Sequence, residues 1–175
     1  FKVAAQFVGI GAVGLPSGNS VRFVSGALAG DQDGGFVQLD SEDAEIDIPG
    51  VFTAPIRMQR FSGLLNWNVA GDEIHIESDD LSVRVPGAGV DSRLRFDWPL
   101  NGDSPRIDVT ATATASDNRE VVPLLPLRRF PEPVAGWLGR AIVAGRIPQA
   151  AIKVAGPLRA FPFADGQGVF HIEVD

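Results

Sequence analysis

Apolar and polar residues alternate along most of the chain. In RLRFDWPL the apolar positions are Leu94, Phe96, Trp98 and Leu100, with Arg93, Arg95 and Asp97 between them. RIDVTATATA sets Ile107, Val109, Ala111 and Ala113 against Asp108, Thr110 and Thr112. EIHIE sets Ile74 and Ile76 against Glu73, His75 and Glu77, and LSVRV sets Leu81, Val83 and Val85 against Ser82 and Arg84. AEIDI contributes Ala44, Ile46 and Ile48. Successive side chains of a strand point to opposite faces, so each run has one apolar and one polar face. This is the pattern of antiparallel sheet wetted on one side, whereas strands of a parallel sheet are covered on both faces and read as apolar throughout. Strands are predicted near 2–9, 20–28, 35–40, 43–48, 57–69, 73–78, 80–85, 90–98, 105–115, 149–156 and 168–174. Gly-rich turns at 33–35, 70–72, 86–89 and 101–103 are short enough for hairpins and a meander.

The period changes between Asn118 and Gly145. PEPVAGWLGRAIVAG has Pro133 near a helix start and Gly145 just past its end. Val134, Trp137, Leu138, Ala141 and Ile142 then form one stripe of a helix over 132–144. NREVVPLLP before it predicts a short helical turn, stopped by Pro123 and Pro126. The expected fold is mainly β: a curved antiparallel sheet of hairpins, with one amphipathic helix packed on its apolar face. One helix leaves more apolar face than it can cover. The remainder is either a core packed between two sheets or an open groove, and an open apolar groove needs a ligand or partner.

One β-like stretch occurs twice. VSGALAGDQDGGFVQLDSEDAEIDIPG from residue 24 and FSGLLNWNVAGDEIHIESDDLSVRVPG from residue 61 are each 27 residues long and are offset by 37 without a gap. Eight residues match: Ser25/Ser62, Gly26/Gly63, Leu28/Leu65, Gly34/Gly71, Ser41/Ser78, Asp43/Asp80, Pro49/Pro86 and Gly50/Gly87. A hairpin cannot bury its own apolar face, and stacked copies make that face continuous. The expectation is a single β-repeat domain over 1–175, with units at 24–50 and 61–87. A third, imperfect copy is expected from residue 154, where VAGPLRAFPFADGQGVFHIEV follows the first unit with a short insertion.

Composition narrows the function. Hydrophobic residues make up 45% and charged residues 21%, which is globular rather than disordered. The net charge of −7 argues against nucleic acid or anionic headgroup surfaces as main partners, since both need a basic face. With no cysteine there are no thiolate metal sites and no disulfides. No run of about 18 apolar residues is present to span a membrane. The chain opens at FKVAAQFVGI and closes at GVFHIEVD, within or just after a predicted strand, so it is expected to be a segment of a longer one.

Catalytic and metal chemistry finds little support. His75–Glu77 and His171–Glu173 could each be half a zinc site on one strand face, but solvated strand residues explain them better. DQDGG at 31–35 resembles the start of a calcium loop and reads more simply as a hairpin turn. The acidic run DSEDAEID offers paired carboxylates, yet an acidic solvent face that deters edge aggregation suits it better. GIGAVG at 9–14 is followed by LPSG rather than a helix, which argues against a dinucleotide site. Neither a nucleophile elbow nor a phosphate-binding loop occurs. Trp67 and Trp98 lie on the apolar face as core or groove lining. Arg128 and Arg129, near the helix, could meet a phosphate headgroup or stand in an ordinary loop. No cofactor, metal or enzymatic activity is expected.

The stretch VSGALAGDQDGGFVQLDSEDAEIDIPGVFTAPIRMQRFSGLLNW resembles the central region of the YhdP/AsmA-like proteins of Gram-negative envelopes. Further matches are GDSPRIDVTATA at 102–113, WLGRAIVAGRI at 137–147 and VAGPLRAFPFADGQGVF at 154–170. The Trp-Leu-x-x-Ala-Ile helix followed by Gly-Pro-Leu-x-x-Phe-Pro-Phe is the most specific part, and the resemblance covers nearly the whole chain. It implies a large inner-membrane-anchored protein reaching into the periplasm, whose repeated sheet curls into a hydrophobic trough. Such proteins resemble bridges carrying phospholipid from the inner to the outer membrane, in outer membrane biogenesis. The partners implied are phospholipid acyl chains, the rest of the parent chain and envelope proteins. On this reading the groove is lined by Phe23, Ile46, Leu65, Trp67, Ile74, Ile76, Leu81, Val83, Leu94, Phe96, Trp98, Ile107 and Val109. The alternative is a non-catalytic structural or assembly module of the envelope with a closed β core.

Overall fold

The computed structural model describes residues 2–14, 18–116, 121–141 and 146–174. Nine strands are found among them: β1 (Val3–Ala12), β2 (Ser20–Gly30), β3 (Gly34–Asp47), β4 (Ile56–Ala70), β5 (Glu73–Val85), β6 (Ala88–Pro99), β7 (Arg106–Ala115), β8 (Ile147–Pro157) and β9 (Val169–Val174). They form one sheet in the order β1 to β9, every neighbouring pair antiparallel. β1 and β9 each have a single neighbour, so the sheet is open and not closed into a barrel. The fold is mainly β, as the alternation requires. No helix among the described residues is long and apolar enough to cross a membrane.

Two pairs of predicted strands are each one long strand. The runs 35–40 and 43–48 both lie in β3, and 73–78 and 80–85 both lie in β5. The sequence looks broken there because the alternation slips by one residue, and the structure absorbs the slip without a turn. In β3, Leu39 and Ser41 are buried and then Ala44 is, with Asp43 between at a left-handed φ of 58°. The neighbouring strands slip on the same line. Met58 and Phe61 of β4 both join the core, as do Val21 and Val24 of β2, where Phe23 has φ 59°. In β5 the four residues from Ser78 to Leu81 oppose the three from Leu94 to Ser92 of β6. Bulges of this kind bend a strand and raise its local twist.

The buried core is small. Val24, Leu39, Ala44, Met58 and Val85 form one cluster, with Phe7, Ile46, Phe61, Leu65 and Leu81 among the side chains packed against it. The helix α1 spans Glu132–Ala141, and the remainder of its predicted range, 142–144, lies outside the described residues. The turn expected from NREVVPLLP is a 3₁₀ turn at Val122–Leu124, and a second follows at Leu127–Arg129; residues 118–120 lie outside the described residues. DQDGG is a hairpin turn, in which Asp31 Oδ1 accepts hydrogen bonds from the backbone N–H of Asp33 (3.0 Å) and Gly34 (3.3 Å).

Candidate functional site

Residues directly opposite in a ladder share a face, so the register assembles the apolar side strand by strand. Trp67 faces Ile76, Ile76 faces Phe96 and Phe96 faces Ile107, one row across β4 to β7. Leu94, Val109, Val154 and Phe170 make a second row across β6 to β9. Val83, Val90, Ala113, Ala150 and Val174 make a third across β5 to β9. Ile74 faces Trp98, which is 50% exposed and meets Phe96 edge-on with ring centroids 6.5 Å apart. Ile46, Leu65, Leu81 and Val83 pack against the core cluster on this side. Phe23 is set apart from the others. It is 54% exposed at its left-handed backbone position, while Val21 and Val24 on either side pack inward.

Trp67 lies over two glycines. A methyl group placed on Gly30 would come 2.6 Å from Cζ2 of Trp67, and one on Gly35 2.5 Å from Cη2. The indole can rest on the backbone of β2 and β3 only because neither residue has a side chain there. At the opposite flank Phe163 treats Gly156 and Gly168 in the same way, and Phe130, Phe161, Phe163 and Phe170 stack successively with centroids 5.3–5.9 Å apart.

The connection between β7 and α1 runs over this apolar side. Leu124 packs against the core cluster and Phe130 stacks on Phe170 of β9. Arg128 fastens the connection, with Nε 3.0 Å from the carbonyl oxygen of Phe52 and its backbone N–H donating to that of Val51 (3.2 Å). Arg129 reaches the carbonyl oxygen of Leu158 (3.5 Å). Both arginines therefore hold the connection in place by backbone carbonyls.

Beyond this strap α1 stands over β6–β9 and covers an apolar cavity of about 910 Å³. Val134, Trp137 and Leu138 of the helix line it from above, and Val90, Ala113, Ala150, Ile152, Phe170 and Ile172 line it from the sheet. The stripe predicted on the helix thus faces the sheet across a space, leaving Trp137 61% exposed. None of these wall residues of β8 and β9 stood out in the sequence, although Ile152/Val154 and Phe170/Ile172 do alternate with polar neighbours. The side chain of Ala141 and residue Ile142, also of the stripe, are outside what the structure describes.

The opposite face is a lattice of ion pairs. Glu45 lies between Arg22 (3.5 Å) and Arg57 (3.0 Å), Asp40 pairs with Arg60 (2.6 Å), and Lys153 pairs with Asp108. His75 does not join Glu77 in a metal half-site. Its Nδ1 lies 2.7 Å from Asp97 Oδ1, and Glu73 approaches its Nε2 at 3.7 Å. The hydrogen bond to Asp97 raises the His75 pKa above the ordinary imidazole value. The protonated ring is thus favoured in the fold, so this clasp contributes at low pH and is lost as pH rises through the raised midpoint. An NMR titration should place the His75 midpoint above that of a free imidazole, and Asp97→Asn should lower it.

A family model described as YhdP protein matches residues 2–175. The chain belongs to the YhdP family. A relative in that family, the intermembrane phospholipid transporter YhdP of Escherichia coli (strain K12), is 21% identical over 150 residues. The match covers 86% of this chain and 12% of the relative, so the chain corresponds to a small part of that YhdP protein's length. No solved structure matches.

Proposed function

We propose that this chain is one segment of a periplasmic, bridge-like protein anchored in the inner membrane, whose apolar trough carries phospholipids between the two membranes. The observation that carries the reading is the continuous apolar side of an open sheet, which runs from Trp67 on β4 to Ile172 on β9 and includes a cavity of about 910 Å³. Such a surface in a YhdP-family chain fits acyl chains, whose transfer from water is favourable by about 0.8 kcal/mol per methylene. It needs no directional contacts, so tails can slide along it. The hairpins β2–β3 and β4–β5 are on this reading successive copies of one unit within a single repeat domain, each extending the trough. On this reading the role is non-enzymatic, as suits a chain whose family relative is named a phospholipid transporter.

The alternative, a structural module with a closed β core, sits poorly with a sheet whose ends do not meet, and with Trp98 of the sheet and Trp137 of α1 half or more exposed. Site-specific photocrosslinking in the full-length protein in cells decides between them. A crosslinker at Phe96 or Ile152 should yield phospholipid adducts, and one at Arg95 on the opposite face should yield none. Phe96→Glu or Ile152→Glu should abolish the adduct at the other position while the protein still accumulates. Equal labelling of both faces, or protein adducts alone from Phe96 and Ile152, would rule the trough out.

A further inference from the structure

We infer that Arg146 is the seat of a phosphodiester headgroup for a diacyl lipid whose tails occupy the cavity under α1. This rests on the lipid-carrying reading above and adds a polar end to it. The apolar cavity shares Ala88, Gly89, Thr114, Ala115 and Ile147 with a second space of about 660 Å³, at the turn between β5 and β6. The two therefore meet at those residues; both are mainly apolar, and the second also carries charged side chains in its lining. Among the described residues His171 is the one titratable group along the walls of the first, and two guanidinium groups, Arg84 and Arg146, line the second.

The two arginines are in different states. Arg84 is fully committed. One terminal nitrogen binds both carboxylate oxygens of Asp91 (2.7 and 2.8 Å), and the other binds the carbonyl oxygens of Val83 (3.0 Å) and Val90 (3.1 Å). That bond to Arg84 also holds the Asp91 carboxyl below its ordinary pKa, so this acid remains ionised and bound to Arg84. Arg146 has no hydrogen bond or ion pair with any described residue. In a chain of net charge −7, a guanidinium that lines a pocket and has no acid beside it among the described residues is a cation open to an anion.

The geometry selects the anion. Ile147 follows Arg146 directly and lines both spaces, so a ligand held at Arg146 begins where the apolar wall begins. A guanidinium matches the paired oxygens of a phosphodiester and can bind them bidentately, and Thr114 adds a hydroxyl to the same pocket. A free phosphate would use the cation and leave the cavity empty. A neutral diacyl lipid would fill the cavity and leave the cation unpaired. A phospholipid satisfies both.

The test uses the full-length protein loaded from vesicles, with phosphatidylglycerol compared against diacylglycerol of the same chains. Wild-type protein should retain phosphatidylglycerol in preference to diacylglycerol, and excess inorganic phosphate should not displace it. Arg146→Glu should lower phosphatidylglycerol retention about tenfold, the order of a charged hydrogen-bonded contact, and leave diacylglycerol retention unchanged. Arg146→Lys should keep part of the preference. Unchanged phosphatidylglycerol retention in Arg146→Glu overturns the headgroup seat while leaving the acyl trough standing. Displacement by inorganic phosphate alone makes the pocket an ion site and also overturns it. Wild-type protein that retains neither lipid overturns the trough itself. If Arg146→Glu fails to accumulate, Arg146→Gln with the same lipid pair gives the reading.

Discussion

Gly35→Val is expected to destabilise the fold by roughly 3 kcal/mol or more, the upper range for forcing extra carbon into a packed site. A side chain at this position meets three things at once: the Trp67 ring, the Ala29 carbonyl oxygen and the Gly30 Cα. Two of these are backbone and cannot rotate away. The indole could move, but only by leaving the row it forms with Ile76, Phe96 and Ile107. Urea unfolding followed by Trp fluorescence measures the loss. The double variant Gly35→Val, Trp67→Ala should recover little, because the clash with backbone persists. Full recovery would show that the ring alone sets the limit.

Ser41→Ala is expected to cost about 2–6 kcal/mol, from two backbone groups that lose their partner at about 1–3 kcal/mol each. Ser41 is 0% exposed, and its Oγ lies where the β2–β3 ladder is interrupted between Arg22 and Gly26. There it accepts from the N–H of Ser25 (2.9 Å) and donates to the carbonyl oxygen of Ser25 (3.0 Å). The hydroxyl replaces the missing strand partner in both directions. Ser78, 37 positions on and 3% exposed, sits where the β4–β5 ladder is likewise interrupted, but its contacts with Asp80 are long at 3.4 Å. Here Asp80 Oδ1 takes the orphaned N–H of Leu64 at 2.8 Å. Ser78→Ala should therefore cost distinctly less than Ser41→Ala, and Asp80→Ala more than Ser78→Ala. Thermal melts of the three variants check the order. Equal losses for the two serines would mean that burial, and not the ladder gap, sets the cost.

Strand identity, the meander and the one-sided apolar face were legible because a period of two is hard to mistake over ten residues. Other features were not. A slip of phase at Asp43, or at Ser78–Leu81, looks like the end of a strand in sequence, since only the backbone shows that the ladder continues through it. Phe23 fell among the apolar positions for the same reason: a left-handed residue leaves the alternation without any mark in the residue type. The walls of β8 and β9 were muted because Ala150 and Ala151 face opposite ways with the same side chain, so alternation carries no contrast there. The strap over the sheet is a matter of long-range contact. Nothing in PLLPLRRF says that Arg128 will find the Phe52 carbonyl oxygen, 76 residues away. Arg146 was unreadable for a related reason, because what distinguishes it from Arg84 is the absence of a partner in space among the described residues.

The strict succession of β1 to β9 sets a rule of parity. Every strand runs opposite to the one before it, so inserting one strand would exchange the two ends of all that follow, carrying the turn beside Arg146 to the far rim. Inserting two leaves every later strand pointing as before. A sheet of this design can therefore change its reach only in whole hairpins, each adding about 10 Å at the spacing of neighbouring strands. The distance such a chain spans is counted in pairs of strands.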